Sequence, residues 1–564
     1  MKNSLNLEQL NLCSLEETRE WYLDGLQPLV NQDEYQQAIK AIDKFIEDEG
    51  KLLHEKLVAY KEAIYPDSWL MPYSKDIYLN GRGPVAIDGN YLLETLPYQK
   101  EIDYLNFVTR VIISIQDLYY DLSKKAIPQM KVKDQLLCMK QLKGFLRGTR
   151  VFSPNKDIYN IYEDFKDVNS CALFYQNNCY IVKLFNEDKT RIASDKIYSQ
   201  IVKIYEYEQA NPELSFTCLA FNNHDDSYEI LSTNKQNQAQ LARLNRTIFA
   251  MTLWDKKSSE VSTNQKSYYD ASNAWPLKSW NIDIFTDLVC TFNNEHTFVD
   301  GATNANLIVA LFDKIEQHDE IFDENDYQEL PLDKLEFDLN QDVLEKIKRN
   351  YQNRTEQLSS LRFEYDKLDL KKIREHKINI DALFQLGFLY ADYYAFSQLK
   401  TIHESVSASH FYDGRTSMLR SISNEGVNFI KALKQGDNNS LELLKEASAK
   451  HVYGIKKAKE FCCIARHYAG LSLMSDKQLS IYKNKEFQKY IAQEICTSSM
   501  GNTKLINRFA YAPVVDGGLG LGYLSQGNKL IADISFYIKD EKEVLKFYQY
   551  LFEYFDKVNE LVKA

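Results

Sequence analysis

The chain has 564 residues, 44% hydrophobic and 26% charged, with a formal net charge of -12. That length exceeds what one hydrophobic core supports and predicts two large units; the acidic balance excludes a general nucleic-acid binder. No apolar run approaches membrane-spanning length, and the N-terminus carries neither an apolar signal core nor an Arg-rich leader, so a cytoplasmic protein without membrane insertion is expected. Nine scattered cysteines without a CxxC pair predict reduced thiols and no metal site.

Residues 14 to 65 read as helices, with Leu15, Trp21, Tyr22, Leu26 and Leu29 at helical spacing. Turn signals follow at Pro66-Asp67 and at 80–84, and an apolar-rich helix is expected over 98–122. From about 170 to 300 the pattern becomes strand-like, in the runs 172–185, 215–221, 247–254 and 287–292. Helices return for most of 341–495. The runs 506–515 and 529–538 then read as strands, and an amphipathic helix closes the chain over 541–562. Strands interspersed with helices in both halves predict two α/β units, with the junction in 341–360. The resulting division is a helical segment 1–90 packing on two domains, 91–345 and 346–564.

Glu295-His296-Thr297-Phe298-Val299-Asp300-Gly301 is the segment richest in chemistry. It sets a histidine, a carboxylate and a glycine directly after a buried-strand pattern. A histidine there is placed to take a proton from an alcohol or thiol near neutral pH. Taken alone, the segment is better explained by a packed loop histidine.

Three later segments change that balance: His410-Phe411-Tyr412-Asp413-Gly414-Arg415-Thr416, Ala465-Arg466-His467, and Thr497-Ser498-Ser499 followed by Ala512-Pro513-Val514-Val515. Together with Leu26-Gln27-Pro28 and the stretch 69–84, their order and spacing resemble the carnitine/choline acyltransferase family over nearly the whole chain. The resemblance implies two chloramphenicol-acetyltransferase-like domains, each a mixed sheet flanked by helices, with the active site in a tunnel between them. It implies reversible transfer of an acyl group between coenzyme A and the hydroxyl of carnitine, with coenzyme A as a co-substrate, no permanently bound cofactor, and a monomer.

In that frame His296 is the general base, and Asp300 pairs with Arg415 to fix its loop. A serine stabilises the oxyanion; counting back without gaps gives Ser499, and one gap gives Ser498, with Thr497 also in the segment. Thr416 and Arg466 match the positions that select carnitine over choline, and Tyr78 and Ser405 match further carnitine contacts. Phe509, near Tyr511, stands where long-chain enzymes keep a glycine, which favours acetyl or another short acyl group. Lys371, Lys372, Arg374 and Lys377 match the coenzyme A phosphate site, and Asp381 matches its adenine end. The sequence departs from the family at His403, where a carnitine-binding tyrosine is usual, at Met500 in place of glutamine, and at Leu370 in place of lysine. His403 keeps two alternatives open: choline or another small hydroxylated acceptor, or a catalytically weak protein that binds coenzyme A or acylcarnitine.

Overall fold

The computed structural model describes residues 7–132, 134–163, 168–207, 210–211, 216–220, 231, 234–268 and 274–563. Two mixed sheets form its centre. In chain order the strands are β1 (Asn90–Thr95), β2 (Ser170–Tyr175), β3 (Asn178–Lys183), β4 (Ala250–Leu253), β5 (Asn281–Ile284), β6 (Cys290–Glu295), β7 (Leu358–Tyr365), β8 (Ile402–Ser407), β9 (Thr416–Arg420), β10 (Ile495–Asn502), β11 (Ile506–Tyr511), β12 (Leu519–Gln526) and β13 (Lys529–Tyr537). The first sheet has the order β11-β1-β6-β5-β4-β2-β3 and the second β7-β13-β12-β10-β8-β9. Each mixes parallel and antiparallel neighbours: β4 runs parallel to β2 and β5, and β10 runs parallel to β8 and β12. The molecule is thus α/β, with helices against both sheets.

The strand β11 stitches the halves together. It comes from the C-terminal part of the chain yet pairs antiparallel with β1 of the first sheet, Tyr91 opposite Tyr511 and Leu93 opposite Phe509. On its other side it crowds β12, where a Cβ on Gly522 would lie 2.0 Å from the Phe509 carbonyl oxygen. Only glycine permits two backbones to approach so closely.

Helices α1 (Leu15–Leu26) and α2 (Gln32–Phe45) each start with a capping box, Ser14 with Glu17 and Asn31 with Glu34, which satisfies free N–H groups of the first turn. Helix α3 (Lys51–Ala63) follows, then α4 (Met71–Leu79). These N-terminal helices do not form a core of their own. Tyr22, Phe45, Leu57 and Trp69 join Phe363, Tyr468, Phe487 and Tyr523 in the core of the second sheet. The first sheet is covered by α5 (Tyr104–Ser123) and α6 (Gly301–Ile315), through Val111, Ile115, Leu307 and Leu311.

Several expectations need revision. The run 172–185 is a hairpin, turned at Gln176 and Asn177, both with positive φ (45° and 62°), which suits the right-handed twist of the flanking strands. Of the run 215–221, Phe216–Leu219 is one helical turn, and the two end residues lie outside the described residues. The region 341–495 contains β7, β8 and β9 among its helices, and β1 had no distinct sequence signal. Cys13 and Cys462 form a disulfide with Cα atoms 5.4 Å apart, so the expectation of wholly reduced thiols fails. The pair is 449 residues apart in sequence and meets only because the N-terminal segment lies against the turn before residue 464. The other seven cysteines are buried and form no disulfide. No helix among the described residues is long and apolar enough to cross a membrane.

Candidate functional site

The strand β6 ends at Glu295 and α6 begins at Gly301, so His296 to Asp300 form a tight connection at the edge of a cavity of about 540 Å³. The imidazole Nδ1 lies 2.6 Å from the Val299 carbonyl oxygen. A carbonyl only accepts, so Nδ1 carries the hydrogen and Nε2 of the neutral ring keeps its lone pair. Burial lowers the proton affinity of His296 below that of an ordinary histidine; Asp300 opposes the shift and Arg415 adds to it. The ring is therefore a neutral base at pH 7, and it packs between Tyr78 and Tyr91, with centroids 5.1 and 4.9 Å away.

Asp300 does not form a dyad with this ring. Its Oδ1 is 3.8 Å from His296 Nδ1, whose hydrogen is already given to Val299. Instead Arg415 Nε donates to both carboxylate oxygens (3.0 and 2.9 Å), and Nη2 donates to Oδ1 (2.8 Å). The same guanidinium donates to the carbonyls of Thr297 (2.5 Å) and His296 (2.8 Å). Burial alone raises the proton affinity of Asp300; the Arg415 charge, His296 and the hydrogen bonds from Arg415 and Gln141 together reverse this, holding the carboxyl below its usual range. Gln141 completes the anchor, its Nε2 donating to Asp300 Oδ2 (2.6 Å) and its Oε1 accepting from the Asp300 N–H (2.9 Å).

The facing wall is the pleated surface of β8, β9 and β10. Side chains alternate across a strand, and the pairings His403↔Cys496, His403↔Arg420 and Ser405↔Met418 put His403, Ser405, Ser407, Thr416, Met418, Cys496 and Ser498 on one face. All seven line the cavity. Met500 continues that face and reaches Gly301, where a Cβ would stand 3.3 Å from its terminal methyl. Thr497 points the other way. It is fully buried, donates to the His403 carbonyl (2.9 Å) and accepts from Gln385 Nε2 (2.8 Å) of α7 (Ile380–Ala395), so the expectation that it touches substrate is corrected by the strand's alternation. Ser499 also lines the cavity, but alternation turns it from that face, and its Oγ accepts from the Gly501 N–H (3.1 Å). Of the two serines, Ser498 shares the face that looks toward the His296 loop.

Arg466, on helix α8 (Ile464–Leu473), lines this cavity beside His403 and Thr416. Its Nε is buried with no hydrogen-bond partner, and no carboxylate among the described residues pairs with it. His403 is buried as well, and its Nδ1 has no partner. Burial, then the charges of Arg420 and Arg466, keep its ring neutral, far below the usual histidine range. Tyr78, Phe509 and Tyr511 also line the cavity, with Phe509 only 4% exposed and its ring 5.3 Å from that of Tyr511.

The basic cluster lies apart from this cavity, on and just after the short helix Leu370–Glu375. Lys371, Lys372, Arg374 and Lys377 are all exposed. Asp381 is drawn inward: it accepts from Tyr523 Oη (2.8 Å) and pairs with His451 Nε2 (3.0 Å). Three contributors carried no sequence signal. Gln141 is 159 residues from its partner Asp300. Arg150 lines the cavity from the strand Gly148–Val151. Glu295 adjoins the histidine, and its buried carboxylate accepts from the Thr297 N–H (3.0 Å) and hydroxyl.

Comparison of the sequence with known proteins points to one family. Carnitine O-acetyltransferase of Mus musculus is 24% identical over 94% of this chain and 88% of its own. Carnitine O-palmitoyltransferase 2, mitochondrial, of Bos taurus is 22% identical over the same shares, 94% and 88%. Among solved structures, the trichothecene 15-O-acetyltransferase TRI3 of Fusarium sporotrichioides aligns with a TM-score of 0.42 at 11% identity, covering 86% of this chain and 94% of that one. The family model for choline/carnitine O-acyltransferase matches residues 10–553, and the chain belongs to that family.

Proposed function

We propose that the chain transfers a short acyl group, acetyl foremost, between coenzyme A and the hydroxyl of carnitine. The observation that carries the acceptor is Arg466, a cavity-lining guanidinium without a carboxylate partner among the described residues. Its half-buried side chain keeps Nε out of water without a hydrogen-bond partner, and a ligand carboxylate relieves that cost with charge-assisted hydrogen bonds. Thr416 and Ser405 add hydroxyls on the same wall, and Tyr78 stands across the cavity. Choline has no carboxylate and brings a second cation toward Arg466, which disfavours it.

The reaction follows from the base. His296 Nε2 removes the proton from the carnitine hydroxyl as that oxygen attacks the thioester carbonyl. The tetrahedral intermediate places negative charge on the former carbonyl oxygen, and Ser498 Oγ–H is the donor assigned to it. Collapse expels the coenzyme A thiolate, which takes the proton back from His296. The exposed lysines at 371, 372 and 377, with Arg374, are assigned to the phosphates of coenzyme A, and Asp381 to its adenine end. A trimethylammonium lies against aromatic faces such as that of Tyr511. Phe509 sets acyl length: a phenyl ring fills space a fatty chain would need.

The test is release of free thiol from acetyl-CoA by purified protein with L-carnitine, choline or no acceptor. Release that depends on carnitine is expected. Release with choline alone overturns the acceptor, and no release with any acceptor overturns the enzyme.

A further inference from the structure

His296 is bracketed by two buried guanidinium–carboxylate pairs. Arg415 with Asp300 holds the far side of its loop, as described above. On the near side Arg150 Nη1 lies 3.5 Å from Glu295 Oε1, with both side chains almost wholly buried (2% and 0% exposed). Arg150 is itself held in place: Nε donates to Asp157 Oδ2 (2.8 Å) and Nη2 to the Gly81 carbonyl (3.1 Å), while Arg82 braces Asp157 at 3.0 Å. Glu295 uses both carboxylate oxygens as acceptors for Thr297, one for the N–H and one for the hydroxyl. Thr297 is therefore the link between the pairs, because its carbonyl accepts from Arg415.

We propose that Arg150 is a positioning residue for His296, acting by keeping Glu295 ionised so that both its oxygens accept from Thr297. A protonated carboxyl uses one oxygen as a donor and cannot make both bonds. Burial pushes the proton affinity of Glu295 up, and the Arg150 charge is the largest influence pulling it back. Without that charge Glu295 takes a proton, the Thr297 turn loosens, and the imidazole leaves its working position. The other charged or titratable groups around Glu295 and His296 are the Arg415–Asp300 pair and the tyrosines 78, 91 and 159, whose hydroxyls burial keeps neutral.

The inference rests on the proposed acyl transfer, and its test separates the two. Wild-type thiol release establishes the reaction. Arg150→Gln is then expected to lose kcat on the order of 10²-fold at pH 7, the scale for displacing a reacting group by about an ångström, and to regain much of it at pH 9, where Glu295 ionises again. Arg150→Lys, which keeps the charge, retains most of the activity, and Arg150→Gln/Glu295→Gln shows no recovery at pH 9. Equal loss at both pH values, or no loss at all, overturns the proposal. If the wild type shows no transfer, amide exchange of the segment 290–301 reads the same step: Arg150→Gln exposes the Thr297 amide relative to wild type at pH 7 and restores its protection at pH 9. Identical protection at pH 7 overturns it.

Discussion

The two sides of the cavity are built on opposite principles. On the His296 side the groups that hold the histidine loop are engaged within the protein: Nδ1 on Val299, the His296 and Thr297 carbonyls on Arg415, and Asp300 on Arg415 and Gln141. On the facing side Arg466 Nε and His403 Nδ1 are buried without partners. A closed network holds a catalytic group in one geometry before substrate arrives, which is what proton transfer in a transition state requires. Unpartnered buried groups are instead completed by a ligand, and their cost becomes binding specificity.

The contrast can be broken at its closed side first. His296→Ala is expected to lower kcat roughly 10³-fold, within the range for loss of a general base, with the carnitine KM little changed. Activity near the wild-type level would end the mechanism. Arg415→Ala is next, because it leaves Asp300 buried and uncompensated. A loss of about 3–5 kcal/mol in denaturant unfolding is expected, and a loss below 1 kcal/mol would mean the loop is held by other contacts.

The open side should respond in binding. Arg466→Gln is predicted to raise the carnitine KM between about tenfold and a hundredfold, the value of a hydrogen bond to a charged group, while leaving the acetyl-CoA KM and the melting temperature near wild type. A fall in stability instead would mark Arg466 as structural. Phe509→Gly is expected to shift preference toward longer acyl-CoA, read as the ratio of octanoyl to acetyl turnover. An unchanged ratio removes Phe509 from the length argument.

The smallest effect is on stability against pH. His54, His296, His403, His410 and His467 all sit below the ordinary histidine value chiefly through burial, His467 at about 3, and His318 beside Asp117 is shifted the other way. In the unfolded chain each titrates near 6.5. Below that pH the unfolded chain takes up protons the folded chain refuses, so stability is full above about 6.5 and falls as pH drops. Asp300, held low in the fold, adds to the loss at still lower pH. Asp283 and Asp533, whose carboxyls burial raises to about 6, take up protons in the fold over the same range and offset part of this loss. A decline in melting temperature from pH 7 to pH 5 means the histidines dominate; a flat profile means these carboxyls balance them.

Much of this was legible in residue order. The family segments located His296, Asp300, Arg415, Thr416 and Arg466 because each lies in a short motif whose neighbours are fixed by local geometry. The choice between Ser498 and Ser499 was not legible, since it depends on which face of β10 meets the cavity, and a single-residue offset reverses every side chain. Thr497 was misread for the same reason. Local patterning also hid β1 and β7 to β9, whose burial comes from neighbouring strands far away in sequence.

The sequence by itself determined the residue types, their order, and the helices whose caps and apolar stripes are local. The tertiary structure alone decided the partners. Gln141 reaches Asp300, Arg150 reaches Glu295, Cys13 reaches Cys462, and β11 crosses to the first sheet. Each is a contact between segments whose meeting no local propensity encodes, because it is set by how two sheets and their helices bury apolar surface together.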